Sequence, residues 1–385
     1  MKNRKKIMFL SHRDATDKRV WSGTFYSMAK ALEKHSGDIV YAGPYFPELQ
    51  HFLLKAFNRI SLSIFRKRYR ITYSYILARA YKKFFEKRIQ KENPDIVFAP
   101  SSSAEISLLD IKQPIVYLGD ATLNLLIDTY PNYSNLSKLS LREAQKVEHL
   151  TFENADALVF SSKWAAESAE KDYNVPAEKI SIISFGANME RIPPRQDIEN
   201  KSIDDDVKIL FLAVDWERKG GSLVFETFKM LVDNNINAKL TVCGCVPPKE
   251  FQHPQMTVIP FLNKNKEEDA QKLYDILRES NFLFLRSSAD CTPIVFSEAN
   301  SFGIPVFSSD VGGIGSVVEE GVSGHLFPLD SSAEKYYEKF KYYAKNKDAY
   351  SELSKMSRDR FESILNWDKW AKEIDSIFEK LLSQQ

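Results

Sequence analysis

The stretch FLFLRSSADCTPIVFSEANSFGIPVF, residues 282–307, decides the fold of this chain. It opens with a short apolar run, Phe282–Leu285, and closes with another, Ile304–Phe307. A helix is predicted between them, starting near Pro293, because proline suits the first helical turn. Two apolar strands joined by a helix are the unit from which parallel sheets are built.

The same alternation of apolar runs and helical segments extends over most of the chain. Continuous apolar runs are typical of strands buried on both faces of a parallel sheet. Besides the two runs above, ten more are found: Ile7–Leu10, Ile39–Ala42, Ile96–Ala99, Ile115–Leu118, Ala157–Phe160, Ile180–Ile183, Val207–Leu212, Ala238–Val242, Met256–Ile259 and Gly324–Phe327. They predict an α/β protein with two Rossmann-like domains, at 1–190 and 207–365, whose ligands lie at the carboxyl ends of the strands.

Residues 191–206 are predicted to link the two domains, since they contain Pro193-Pro194 and Asp204–Asp206. A long surface loop within one domain is the alternative. After Leu329 the pattern becomes helical, and residues 366–385 are predicted to form a final helix that returns toward the N-terminal domain.

Composition and charge exclude several classes of protein. The chain has 385 residues, 43% hydrophobic and 27% charged, as in soluble globular proteins of two domains. With 53 Lys and Arg against 52 Asp and Glu, it is not a polycation built for nucleic acid. Three cysteines cannot form a disulfide framework, which predicts a reduced, cytoplasmic protein. The basic start, residues 1–6, precedes too short an apolar run for a signal peptide, and no run is long enough to span a membrane.

Motifs for the common cofactors and metals are missing from the sequence. The first strand is not followed by Gly-x-Gly-x-x-Gly and no P-loop is present, which disfavours nicotinamide, flavin and P-loop enzymes. Cys243 and Cys245 have no second pair of thiols and no nearby His, so they do not predict a zinc site. We therefore expect no cofactor.

The candidate site begins after the strand Phe282–Leu285. Free backbone N–H groups at a helix start bind phosphate without any cation. Here they lie in the segment formed by Thr292, Pro293, Ile294 and Val295, in which Pro293 itself contributes no N–H. Asp290 and Glu298 lie eight positions apart, about two helical turns, and so border one groove. One carboxylate would accept hydrogen bonds from the hydroxyls of a sugar, and the other would accept them from the hydroxyls of a ribose. The alternative is a helix N-terminal Asp and a solvated Glu.

Glu298, the segment Ala299–Val306 and the loop Asp310–Ile314 resemble the nucleotide-sugar signature of the retaining glycosyltransferases of family four. The resemblance covers most of the chain and implies the GT-B fold, in which two Rossmann-like domains face each other across a cleft. The family has two Glu separated by seven residues, whereas Asp290 stands here in place of the first. Its shorter side chain bears on which sugar is bound.

Two further positions extend the resemblance, and a third departs from it. Asp215–Gly221 is similar to the family's Arg/Lys-Gly element, which implies that Lys219 grips the diphosphate; Arg218 is adjacent instead of several residues earlier. Gly23 matches the loop glycine that lets backbone approach the sugar or phosphate. Asp120 stands about where many relatives carry a sugar-contacting His, and a helix N-cap is its alternative role.

Residues 51–88 form a basic and aromatic region with eleven Lys and Arg against one acid, Glu86. This composition suits an anionic membrane surface. Helices of the first domain with solvated cations are the alternative, and no nucleic-acid motif accompanies the region.

Together these features predict a retaining, metal-independent hexosyltransferase. It would use a nucleotide-diphosphate sugar and a glycan or lipid-linked acceptor, in cell-surface polysaccharide or glycolipid synthesis, and work in the cytoplasm, peripherally on the inner face of the cell membrane. A sugar-nucleotide-binding protein with little transfer activity and a GT-B-fold sugar-nucleotide epimerase are the alternatives.

Overall fold

The computed structural model describes residues 4–204 and 206–384. Residues 1–3, which begin the basic N-terminal segment, and Asp205 of the predicted linker lie outside the described residues. The chain divides into two compact units: unit 1 runs to Ile183 and resumes at Trp370, and unit 2 is Ser184–Lys369.

Unit 1 is built on a parallel sheet whose described strands are β1 (Lys5–Phe9), β2 (Gly37–Tyr41), β3 (Ile96–Pro100), β4 (Ile115–Gly119), β5 (Ala157–Phe160) and β6 (Ile180–Ile182). Their order across the sheet is β2-β1-β3-β4-β5-β6. Every residue of β3 and β4 is buried, because helices cover both faces of the sheet, as the apolar runs predict. The helices are α1 (Thr24–His35), α2 (Glu48–Phe65), α3 (Tyr75–Glu92), α4 (Ser103–Ile106), α5 (Leu123–Leu126), α6 (Lys138–Asn154) and α7 (Lys163–Tyr173).

Unit 2 repeats this architecture with strands β7 (Val207–Leu212), β8 (Ala238–Cys243), β9 (Met256–Ile259), β10 (Phe282–Leu285), β11 (Val306–Ser309) and β12 (Gly324–Phe327). The order is β12-β11-β10-β7-β8-β9, again all parallel. Its helices are α8 (Arg195–Glu199), α9 (Gly221–Asp233), α10 (Glu267–Glu279), α11 (Ile294–Ser301), α12 (Ile314–Val317), α13 (Ala333–Lys345) and α14 (Lys347–Ser363). Each predicted apolar run forms a strand at or within two residues of its predicted bounds.

The last helix, α15 (Trp367–Leu382), begins in unit 2 and continues in unit 1. Its apolar stripe, which includes Trp370 and Phe378, is buried, and both rings contact Phe98 of β3, with centroids 5.8 and 6.1 Å away. Lys5 donates to Asp375 at 2.7 Å. Among the described residues, no helix has the length and apolarity needed to cross a membrane.

The segment predicted as a linker, 191–206, contains α8 and lies in unit 2. Its Ile198 and Ile203 are buried, and Arg358 of α14 donates to the carbonyl of Pro193 at 3.0 Å. Unit 2 already begins at Ser184, since Phe185 stacks on the Trp367 ring with centroids 6.0 Å apart.

Candidate functional site

Strands β7 and β10 pair at the centre of the second sheet. From this pair the chain proceeds outward in opposite directions, through β8 and β9 on one side and through β11 and β12 on the other. In open α/β sheets, such a reversal of strand order leaves a crevice at the carboxyl ends where ligands bind. The loops after β7 and β10 therefore define the candidate site of unit 2.

The loop after β7 is a tight turn that leads into α9. Asp215 holds it: one carboxylate oxygen accepts from the Arg218 N–H at 3.0 Å, and its carbonyl accepts from the Lys219 N–H at 3.2 Å. Gly220 has a φ of +70°, the left-handed conformation that glycine adopts without strain. A Cβ on Gly221 would lie 2.1 Å from the ring of Trp216, so the sequence Gly-Gly is required for this turn to close.

Arg218 joins this turn to the loop after β10. Its guanidinium Nη1 donates to the carbonyl of Ala289 at 2.9 Å, and its own carbonyl accepts from the Ser288 N–H at 2.8 Å. These bonds fix the two loops against each other and hold the side chains that follow them.

Lys219 and Asp290, 71 positions apart in sequence, are brought together across the crevice. The Lys219 ammonium donates to the Asp290 carboxylate, and their side chains are only 10% and 13% exposed. The two side chains carry opposite charges and are poorly hydrated, so each can bind a different group of a ligand. The lysine can offset a phosphate, and the aspartate can accept from hydroxyls.

The Gly312-Gly313 turn packs directly on Asp290. The Gly313 N–H donates to the Asp290 carbonyl at 3.0 Å, and a Cβ on Gly312, whose φ is +57°, would come within 2.1 Å of that oxygen. Gly312 is therefore needed for the turn to approach the loop, which explains why a glycine at this position accompanies Asp290.

Helix α11 starts at Ile294, with Pro293 as its N-cap, next to the position that the sequence predicts. Thr292 and Pro293 are buried, while Ile294 and Val295 are partly exposed. The first N–H groups of a helix have no partner within it, so this end of α11 can accept an anion.

Glu298, in the second turn of α11, has a side chain that is only 4% exposed and forms an ion pair with Lys264 at 2.5 Å. Lys264 lies between β9 and α10 and was missed by the sequence reasoning. It could have been found from its position in the sequence: it follows the carboxyl end of a predicted strand, and ligands of such a sheet bind at the carboxyl ends of the strands.

Two further predicted residues, Gly23 and Asp120, belong to unit 1. Gly23 has a φ of +89° and is the N-cap of α1, directly after Trp21 and Ser22, which are also left-handed. Asp120 follows β4 at its carboxyl end and is partly exposed.

The buried carboxyl of Glu148 supports the backbone beyond Asp120. Its Oε2 accepts from the Leu123 N–H at 2.6 Å and from the Tyr173 hydroxyl, and burial raises the pKa of Glu148 to about 7. Within residues 4–204 and 206–384, no group of three or more His, Cys, Asp and Glu is placed to hold a metal ion.

Comparison with known families identifies the part of the chain that carries this site. Residues 194–360 match the family described as "Glycosyl transferases group 1". This segment is a group 1 glycosyltransferase domain. It lies within unit 2 and contains Lys219, Asp290 and Glu298, so the resemblance found in the sequence is confirmed at the level of the family.

Curated relatives align with part of the chain. The chain is 28% identical to spore coat protein SA of Bacillus subtilis, over 41% of this chain and 40% of that protein. The putative colanic acid biosynthesis glycosyltransferase WcaL of Escherichia coli is 23% identical over 58% of this chain and 56% of its own. The chain thus spans about half the length of the curated relatives it matches.

Solved structures establish the fold of the whole chain. The sucrose-phosphate synthase of Thermosynechococcus elongatus superposes with a TM-score of 0.70 at 15% identity, over 99% of this chain and 100% of that one. Anabaena HepE, in complex with UDP and glucose, gives 0.60 at 14% identity, with coverages of 99% and 100%. The chain has the GT-B fold of these proteins, as predicted.

Proposed function

We propose that this protein is a retaining glycosyltransferase that moves a hexosyl unit from a nucleotide-diphosphate sugar to a hydroxyl of a glycan or lipid-linked acceptor. The observation that carries the proposal is the pairing of Lys219 with Asp290, beside the start of α11, in a group 1 domain. HepE has been solved with UDP and with UDP-glucose, which supports a nucleotide-sugar donor here. WcaL is described as a putative colanic acid biosynthesis glycosyltransferase, which supports a role in polysaccharide synthesis.

Each candidate residue takes a role in this reaction that its surroundings allow. Lys219 and the N–H groups of Thr292, Ile294 and Val295 stabilise the departing diphosphate, while Arg218 holds the lysine's turn in place. Glu298 binds the ribose, and Asp290 and Asp120 bind sugar hydroxyls. Pro293 sets the start of α11, and Gly23, which has no side chain, lets the backbone approach the sugar or phosphate of the donor. Because these groups offset the charge, no obligatory metal or cofactor takes part.

Nucleotide binding and glycosyl transfer can be measured one after the other. UDP, GDP or ADP, or one of their sugars, should raise the Tm, since a ligand at 100 times its Kd stabilises the native state by about 2.7 kcal/mol. The matching donor, offered with glycan and lipid-linked acceptors, should then give a product with the anomeric configuration of the donor.

The same assay separates the alternatives. Donor binding with neither transfer nor hydrolysis would indicate a binding protein, and a converted nucleotide sugar without acceptor would indicate an epimerase. A product of inverted configuration would contradict retention, and no binding of any nucleotide would contradict the whole proposal.

We also propose that the protein attaches to the cytoplasmic face of an anionic membrane through the first half of the region 51–88. Helix α2 buries only Leu54 and Ser61 among its eighteen described residues. Its exposed apolar side chains follow each other at helical spacing along one stripe: Leu49, Leu53, Phe57, Ile60 and Ile64. Phe52 and Phe65 are 70% and 69% exposed.

The exposed cations and the burial of helix α3 narrow the proposed membrane surface within the region 51–88. Lys55, Arg59 and residues 66–68 are exposed beside the apolar stripe. Helix α3, by contrast, buries Tyr81 and Phe85 in the core of unit 1, so its aromatic residues are structural. The proposed membrane surface is therefore residues 48–68.

Sedimentation with liposomes tests this surface. Binding should require anionic lipid and weaken at high salt, since each cation near such a surface contributes about 1 kcal/mol and salt screens it. The double variant Phe52→Ser/Ile64→Ser should bind at least about tenfold more weakly, because it removes buried apolar area at the interface. Leu139→Ser, at an apolar position of α6 that is 48% exposed, is the matched control. Binding independent of lipid charge and salt would contradict the proposal.

A further inference from the structure

A cavity of about 430 Å³ lies in unit 1. It is lined by residues of helix α2, of the segment 66–74 that joins α2 to α3, and of the segment 131–137 that precedes α6. The cavity is therefore built by a helix and two connecting segments, and not by the loops that directly follow the strands of the first sheet. One water takes about 30 Å³ in the liquid, so the cavity is large enough for a small polar ligand.

Three residues that line this cavity have a buried polar atom without a partner. His51 Nε2, Arg70 Nε and Thr72 Oγ1 form no hydrogen bond with any of residues 4–204 and 206–384. Buried polar groups are nearly always hydrogen-bonded, because a group left without a partner costs free energy. Three such groups around one cavity, from α2 and from the segment 66–74, indicate that a bound molecule completes their hydrogen bonds.

The arginines of the cavity are not neutralised by carboxylates. Arg70 is held by Tyr133, since its Nη2 donates to the Tyr133 hydroxyl at 3.0 Å and its guanidinium lies 4.2 Å from the centre of that ring. Arg68, which is exposed, donates to a backbone carbonyl at 2.6 Å. Neither arginine forms an ion pair within the described part of the chain, and the carboxylate of Glu143 accepts from the hydroxyl of Tyr69 instead. The cavity therefore favours an anion.

His51 completes this electropositive lining from the side of α2. Its ring stacks on that of Phe46, with centroids 4.0 Å apart, which fixes the orientation of the imidazole. Burial lowers the pKa of His51, and the neighbouring His12 and Lys55 lower it further. A neutral imidazole that carries its proton on Nε2 can donate to an anion in the cavity.

We propose that this cavity binds the phosphate group of a soluble phosphomonoester. A phosphate has acceptor oxygens that point in several directions, and it therefore suits donors that converge from different elements. Arg70 offsets its charge and donates to it, and His51 Nε2 and Thr72 Oγ1 donate to the other oxygens. The inference goes beyond the proposed function and does not depend on it.

The geometry of α2 favours a ligand from solution over the headgroup of a membrane lipid. His51 and Asn58, which both line the cavity, are seven positions apart, about two helical turns, and so share one face of α2. Ile60 belongs to the exposed apolar stripe and lies nine positions after His51, about two and a half turns, on the opposite face. When the stripe contacts a membrane, the cavity faces away from the lipid.

Calorimetry with glycerol 3-phosphate tests the site in the full chain. This phosphomonoester should bind saturably and raise the Tm, since it binds the native state. Arg70→Gln should weaken binding at least about tenfold, because hydrogen bonds between charged groups are the strong ones. Thr72→Val should also weaken binding, yet leave the Tm of the unliganded protein unchanged or raised, since it removes a buried hydroxyl oxygen that has no partner.

Two control variants separate this site from other cations. Arg79→Gln is the matched control, because Arg79 also lies over a tyrosine ring, that of Tyr75 at 5.3 Å, but does not line the cavity. Lys219→Gln tests the diphosphate-binding crevice of unit 2. Both variants should bind glycerol 3-phosphate as the unmodified protein does. No binding by the unmodified protein, or binding that Lys219→Gln loses and Arg70→Gln keeps, would overturn the proposal.

Sedimentation with mixed vesicles of phosphatidylcholine and phosphatidic acid, which carry the same phosphate on a lipid, distinguishes the two sources. Arg70→Gln and Thr72→Val should sediment as the unmodified protein does. If these variants lost vesicle binding while glycerol 3-phosphate failed to bind the unmodified protein, the ligand would be a lipid headgroup and the soluble source would be wrong. Failure of the unmodified protein to bind nucleotides or to transfer sugar would contradict the proposed function alone.

Discussion

Replacing Lys219 with Gln lowers kcat/KM for glycosyl transfer by about 100- to 1,000-fold, the effect of removing one preorganised group that stabilises charge in the transition state. Lys219 is the cation that lies across the crevice from Asp290. A Gln side chain can still donate a hydrogen bond to Asp290, but it is neutral and cannot offset the charge of a departing diphosphate. The measurement is steady-state transfer with the donor found in the nucleotide screen.

Two further variants test whether this loss of activity comes from the missing positive charge and not from a loss of folding. Lys229→Gln removes an exposed lysine of α9 that is paired with Asp233 at 2.5 Å, and it should retain full activity. The double variant Lys219→Gln/Asp290→Asn removes both charges, so that no poorly hydrated carboxylate is left without its cation. It should unfold at the urea concentration of the unmodified protein and still be inactive. Full turnover in a folded Lys219→Gln protein would rule out the proposed role of this lysine.

Replacing Gly220 with Ala destabilises unit 2 by about 3 kcal/mol or more, from left-handed strain and steric overlap together. The φ of Gly220 is +70°, and a Cβ there would lie 2.3 Å from the carbonyl oxygen of Arg286. That oxygen belongs to backbone at the end of β10, so it cannot move away as a flexible side chain would. The measurement is the free energy of unfolding in urea.

Gly321→Ala is the matched control for this substitution. Gly321 has nearly the same φ, +73°, but nothing lies within 4 Å of the Cβ that it would gain. It should therefore cost only the left-handed strain, about 1 kcal/mol. If both variants lost the same free energy, the close packing of the turn after β7 on β10 would contribute nothing to stability.

Local sequence patterns were sufficient to predict the strands and the start of α11. The strands of a parallel sheet are buried on both faces, so each appears as an uninterrupted apolar run such as Phe282–Leu285. Pro293 marks a helix start because its fixed φ and missing N–H suit only the first turn. These signals depend on neighbouring residues and need no knowledge of the rest of the fold.

The region 51–88 shows where such patterns fail. Phe52 and Phe85 are both phenylalanines with basic and aromatic neighbours in sequence, yet Phe52 is 70% exposed and Phe85 is fully buried. Which apolar face of a helix is covered depends on the elements that pack against it, and these come from distant parts of the chain. Composition could therefore predict the character of the region, but not that α2 alone keeps its apolar stripe exposed.

The sequence by itself determined the order of the strands and helices and the residue types at the strand ends, and through its motifs it pointed to Lys219, Asp290 and Glu298. Only the tertiary structure decided which charges meet. Lys219 pairs with Asp290, Lys264 with Glu298, and His12 with Glu105. For Lys219–Asp290 and His12–Glu105, the physical reason is that parallel strands adjacent in a sheet are far apart in sequence, so the side chains after their carboxyl ends become neighbours only when the sheet forms. Lys264 and Glu298 follow strands that are not adjacent, β9 and β10, and meet only through the tertiary packing of unit 2.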